Sequence, residues 1–158
     1  MAYSGILAEI KSTIEGVTGV EKVHDYLRWA KHWNDFLTLL QDSSDVIHGY
    51  MIGRIAAPSR QVTMGEKEVA HVFQIVGLYG LQDSAASEKT FQAVLDLIVD
   101  AFDANDNLSG ECDTLYPDWG PMADAAGLQI SLVENRMFGS VLCHYADLRL
   151  CAIERKTH

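Results

Sequence analysis

A chain of 158 residues with 22 acidic and 12 basic side chains has a formal net charge of −10, and 48% of its residues are hydrophobic. This length and apolar fraction suit one domain built on one core, while the charge repels phosphate backbones and excludes nucleic-acid binding by direct charge attraction. Cys112, Cys143 and Cys151 follow no CxxC spacing, which argues against a disulfide framework or a zinc knuckle and for a reducing, cytoplasmic origin.

Residues 4–15 place Ile6, Leu7, Ile10 and Ile14 on one helical stripe, with Glu9, Lys11, Ser12 and Glu15 around the other side. The spacing predicts an amphipathic helix, stopped by Gly16 and Gly19. A short strand is expected over 20–26. An excursion or short helix follows, in which Trp29 and Trp33 interleave with Arg28, Lys31 and His32 as an aromatic patch. Such a patch serves core packing or a partner contact equally well.

Residues 46–56 and 69–81 are rich in β-branched and aromatic side chains and read as two long adjacent strands. In the second, alternation puts Val69, His71, Phe73, Ile75, Gly77 and Tyr79 on one face. The connection over 58–68 is longer than a tight hairpin turn, so it is expected to project as a flexible arm. Its Arg60, Val62, Met64 and Lys67 are the first candidates for partner contacts.

Asp83, Ser84 and Ser87 offer caps for the strongest helical signal, Phe91, Val94, Leu95, Ile98, Val99 and Phe102. Asn105, Asp106 and Asn107 end that helix. Residues 108–127 then read as a long irregular loop, carrying Tyr116 and Trp119 as second-choice anchors. Two closing strands, 128–134 and 141–154, are joined by residues 135–140 as a hairpin. Together these elements predict a single α+β domain over 1–158. It is a two-layer sandwich of a mainly antiparallel (mixed) sheet, four to five strands wide, with two main helices packed on one face.

No apolar run approaches the ~20 residues that span a bilayer, and the first ten residues lack the basic region of a signal peptide. The six histidines include no HExxH pair, so no metal ligand is assigned. Strand alternation sends Cys143 and His144 to opposite faces, with Cys151 on the face of Cys143. Asp147 and Arg149 read as an ion pair on a solvated sheet face. No GxSxG, GxGxxG or Walker pattern occurs around Gly49, Gly53, Gly77 or Gly80, so neither a catalytic residue nor a cofactor is expected.

The order of elements resembles that of the tail terminator (tail completion) proteins of long-tailed bacteriophages. The resemblance is carried by the opening amphipathic helix, the 22–26 strand leading into Arg28, the 72–78 strand feeding the 87–103 helix, and the closing strand with Cys143, His144, Tyr145, Ala146, Asp147 and Leu148. It implies a virion protein made in the host cytoplasm, a homo-oligomeric ring of typically six subunits. Such a ring caps the tail tube, halts its polymerisation and meets the head connector, and DNA passes through it without specific binding. Asp103, Asp106, Glu111 and Asp113 are then candidates for an acidic pore lining that does not retain the polymer. Another neck or baseplate adaptor is the alternative of the same kind. The alternative of a different class is a small intracellular metal- or ligand-binding enzyme, with His71, His144 and Asp147 around a sheet-edge pocket.

Overall fold

The computed structural model describes residues 2–28, 32–138 and 141–158. In chain order its elements are α1 (Ala2–Glu15), β1 (Lys22–His24), α2 (Trp33–Leu40), β2 (His48–Ala56), β3 (Ser59–Thr63), β4 (Glu66–Gly80), α3 (Ser87–Asp103), β5 (Gln129–Phe138) and β6 (Val141–Thr157). The strands form one sheet in the order β1-β2-β4-β6-β5, with β3 beside the start of β4. Only the β1–β2 pair is parallel among the described strands. The fold is thus the expected α+β sandwich with a mixed, mainly antiparallel sheet, one strand wider than the upper expectation.

The sheet is organised by β4 and β6, which pair continuously from Glu66 opposite Thr157 to Gly80 opposite Cys143. One face of this ribbon carries Phe73, Ile75, Ala146, Leu148, Leu150 and Ala152, and against them α1 sets Ile6, Ile10 and Ile14 while α3 sets Phe91, Leu95, Ile98 and Phe102. These side chains recur every three or four residues on the helices and every second residue on the strands, so each element commits one stripe to the same core. Burying each large one contributes roughly 1.5–3 kcal/mol. Gly77 admits the ring of Tyr50 into this layer, since a Cβ there would lie 2.8 Å from Tyr50 Cε1.

Among the described residues the opposite face is covered mainly at its ends, with Leu27 over Gly53 between them. At one end α2 packs Leu40, with Phe36, Leu37 and Leu39, onto Ile47, Leu78, Cys143 and Tyr145, and His24 ties β1 to α2 by a 2.8 Å hydrogen bond from Nε2 to the Leu39 carbonyl. At the other end Trp119 and Met122 lie over Ala70, Val72, Cys151 and Ile153.

Three expectations change. Residues 58–68 are no flexible arm: β2 breaks at Pro58, which lacks an N–H, and the chain resumes pairing as β3 along the same edge of β4, with Ser59 opposite Val69 and Gln61 opposite Lys67. The expected connection between the last two strands is largely strand as well, because Asn135, Arg136, Met137 and Phe138 pair with β6; Gly139 and Ser140 lie outside the described residues. Finally, α3 begins at Ser87 behind Ala86, a left-handed residue (φ 52°) whose side chain offers no cap. Asp83 opens a separate 3-10 turn.

The two leucines of α3 on either side of its burial boundary test this packing. Leu95→Ala, at a fully buried site, is expected to lower unfolding free energy by about 2–5 kcal/mol, and Leu97→Ala, at an exposed one, to change it by less than about 0.5 kcal/mol. Urea titrations of both variants check the contrast.

Candidate functional site

The tip of the β3–β4 hairpin is apolar and open. All five residues of β3 are exposed; Val62 is 39% exposed and Met64, in the turn, 92%. Arg60 is less available than its position suggests. Its Nε and Nη2 donate to Glu68 Oε1 at 3.2 and 3.0 Å, Nη2 reaches Asp118 Oδ1 at 3.4 Å, and the guanidinium lies over the Trp119 ring, 4.9 Å from its centroid. The expected contact set therefore divides. Val62 and Met64 are presented outward, Arg60 and Trp119 brace the base of the hairpin, and Lys67 sits half-buried in register with Lys156. Tyr116 is exposed beside them at 42%. Trp29 lies outside the described residues, as does the side chain of Trp33, the first residue of α2.

The 108–127 segment has a structural task that its irregular sequence conceals. β5 pairs β6 only as far as Arg149, so the remaining edge of β6 would present unpaired N–H and C=O groups. The segment closes that edge: Asp113 N donates to Ile153 O at 2.8 Å, Ile153 N to Thr114 O at 3.0 Å, and Arg155 N to Asp113 Oδ2 at 2.6 Å. Its Cys112 and Leu115 then enter the helix-side core, while Trp119 and Met122 wrap onto the other face.

This accounts for Asp113, whose carboxylate serves the fold. Asp103 is the last residue of α3 and Asp106 and Glu111 follow it; all three are exposed. Nearby, Glu9 of α1 accepts hydrogen bonds from Asn105 Nδ2 (3.1 Å) and Ser109 Oγ (2.9 Å), and Glu111 lies against Gly5. The chain thus gathers carboxylates at one end of the helix layer.

Between α2 and the wrapped loop the described residues, Leu27 over Gly53 apart, leave the sheet open. A groove of about 260 Å³ is lined by Leu27, Met51, Val76, Leu78, Phe138 and Tyr145, with Arg28 and Arg136 on its rim. Arg136 stacks on Tyr145 at 3.8 Å and pairs with Glu134. Further along, Arg149 binds Asp147 through two hydrogen bonds of 2.8 and 3.0 Å, which holds the Asp147 carboxyl below its ordinary pKa. A second cavity, about 470 Å³, lies at the loop end among Glu68, Asp113, Tyr116, Asp118 and Arg155.

Most buried polar groups are joined in pairs and chains, while among the described residues His71 Nε2, Trp119 Nε1 and both Glu154 carboxylate oxygens lack a hydrogen-bond partner. Ser87 Oγ accepts from Gln82 N (2.8 Å) and donates to His144 Nε2 (2.8 Å), whose Nδ1–H then donates to Asn135 Oδ1 (2.8 Å). This order resembles a serine–histidine–amide relay, but Ser87 is only 4% exposed and its oxygen is already engaged by Gln82. The chain of bonds fastens α3, β5 and β6 together. At the β2 end His48 Nε2 meets Tyr50 Oη at 2.7 Å. His71 Nδ1 meets Arg54 at 3.2 Å, with Glu154 3.8 Å from its Nε2. The enzyme-like grouping of His71, His144 and Asp147 is not assembled. The two histidines face the helices from opposite ends of the ribbon, opposite Ala152 and Tyr79, and Asp147 faces the other way with Gln74 and Arg149.

Burial pushes the Cys112 thiol up to about 12 and that of Cys151 to about 11, so both stay protonated and unreactive at neutral pH. Among the described residues no cluster of three or more potential metal ligands occurs. No described helix is long and apolar enough to cross a membrane. The chain matches no protein-family model and no curated protein.

Burial also holds His48 and His71 below the ordinary histidine pKa; for His71 the nearby Arg54 and Lys156 act in the same direction and Glu154 opposes. As pH falls below about 6.5 the unfolded chain takes up protons that these folded sites refuse. Stability is therefore complete above that pH and declines beneath it. Urea midpoints at constant ionic strength should be lower at pH 5.5 than at pH 7.5, and equal midpoints would contradict the assignment. Ser87→Ala, which leaves His144 Nε2 without its donor, should cost about 1–3 kcal/mol in the same titration at neutral pH.

Proposed function

We propose that this chain is a structural subunit of a long-tailed phage, a tail terminator that assembles as a homo-oligomeric ring, caps the tail tube and presents a surface to the head connector. The observation that carries this reading is the hairpin tip. Val62 and Met64 are held out on a β-ribbon whose base is clamped by Arg60, Glu68, Asp118 and Trp119. A rigid support under an exposed apolar tip reduces the entropy lost when the tip docks, which suits permanent assembly.

The element order that resembles terminators supports the same reading, since the helix, ribbon and closing strand on which it rests are the parts that build the sandwich. The carboxylates at the end of α3 suit the rim of a DNA passage: like charge keeps the polymer from binding to the wall. Asp103, Asp106 and Glu111 are assigned to that rim, and Asp113 to closing the edge of β6.

Tube protein polymerised with and without the chain tests the reading by electron microscopy. Tubes should stop growing and carry a ring at one end when the chain is present. Val62→Ser combined with Met64→Ser should leave the fold within about 0.5 kcal/mol yet abolish end capture. Tubes of unchanged length without end density would overturn the terminator assignment, and end binding without arrest of growth would point to a neck or baseplate adaptor.

A further inference from the structure

The outer stripe of α3 and the open face of the sheet lie on opposite sides of the sandwich, and both carry apolar side chains beside charges, of opposite sign where they are unpaired. The α3 residues turned away from the core include Ala93, Asp96, Leu97 and Asp100, all exposed. Leu97 is 48% exposed. It stands between two aspartates whose carboxylates make no hydrogen bond or ion pair among the described residues. The stripe sets Ala93 and Leu97 beside a row formed by Asp96 and Asp100, with Lys89 on the same row two turns earlier.

The open face has the reverse character. Its groove is apolar along the floor, with Met51, Val76 and Leu78, and arginine-rich at the rim. Arg28 stacks on Tyr26 at 4.8 Å and has no carboxylate partner among the described residues. Arg136 and Arg149 on that side of the sheet are paired with Glu134 and Asp147. On a chain of net charge −10, Arg28 is thus a cation of this face left without a carboxylate partner among the described residues, and Arg136 is half-exposed beside it.

We infer that a second copy of this chain occupies the groove. The α3 stripe of one subunit lies across the open sheet face of the next, Leu97 enters the groove, and Asp96 and Asp100 meet Arg28 and Arg136. This deepens the ring reading and rests on it. The two surfaces belong to opposite faces of one subunit, so the contact is head-to-tail and closes as a ring if the rotation between copies divides a full turn. Two-fold pairing of α3 centred on Leu97 would bring Asp96 and Asp100 close to their own copies. Pairing through the groove would set arginines against arginines.

Charge exchange followed by sedimentation velocity and native mass spectrometry tests the contact. Asp96→Lys with Asp100→Lys changes only exposed side chains, so the thermal midpoint should hold while association between copies weakens about tenfold or more. Arg28→Glu with Arg136→Glu should weaken it similarly, and the two sets combined should recover most of the loss. Association of the unaltered chain should also weaken as salt is raised. If the unaltered chain forms rings and the Asp96 and Asp100 variant forms them equally well, the contact is overturned and the ring reading stands. A chain that stays monomeric at high concentration, alone and with tube protein, overturns both.

Discussion

The β4–β6 ribbon is the constraint on which the rest of this molecule depends. Its continuous pairing, from Glu66 with Thr157 to Gly80 with Cys143, fixes which side chains face α1 and α3 and which face away. A slip of one residue would turn Phe73, Ile75, Leu148 and Leu150 out of the core and send Gln74, Asp147 and Arg149 into it. The cost of that exchange is many times the few kilocalories by which a domain is stable, so the register is fixed by burial on the helix side. The polar features of the opposite side are carried along by it.

Every surface assigned a role is positioned by that ribbon. Its open end continues into β3 and carries Val62 and Met64 outward, and Arg60 braces the turn against Trp119. Its free edge beyond Arg149 is closed by Asp113 and Thr114, so the long irregular loop serves as a strand-edge cover. The face opposite α1 and α3 is covered by α2 and by Trp119 at its two ends, and among the described residues it is left largely open between them. A sandwich with one face saturated by helices and the other partly bare has two unlike sides, the arrangement that head-to-tail assembly uses.

Much of this was legible in the residues. The stripes of α1 and α3 and the alternation of β4 are local patterns, set by the period of each element and by the demand for burial, and they predicted the helix layer and the face of the sheet it covers. The separation of Cys143 from His144 followed from the same alternation. β3 was not legible because all its side chains are exposed; an edge strand with no buried face leaves no period-two signal, and Pro58 disguised its continuity with β2. Equally hidden were the edge closure by Asp113 and the Ser87–His144–Asn135 chain. These depend on residues that meet only after the ribbon has formed, Ser87 and His144 being 57 positions apart. No spacing rule reaches them.

Amide hydrogen exchange followed residue by residue tests the central role of the ribbon most directly. Amides in the middle of β4 and β6, around residues 72–77 and 145–150, should be the slowest to exchange and should open only with global unfolding, with β1, β3 and α2 exchanging through smaller openings. If the amides of α1 and α3 outlast those of the ribbon, the helix layer holds the sheet together and the order of dependence is the reverse.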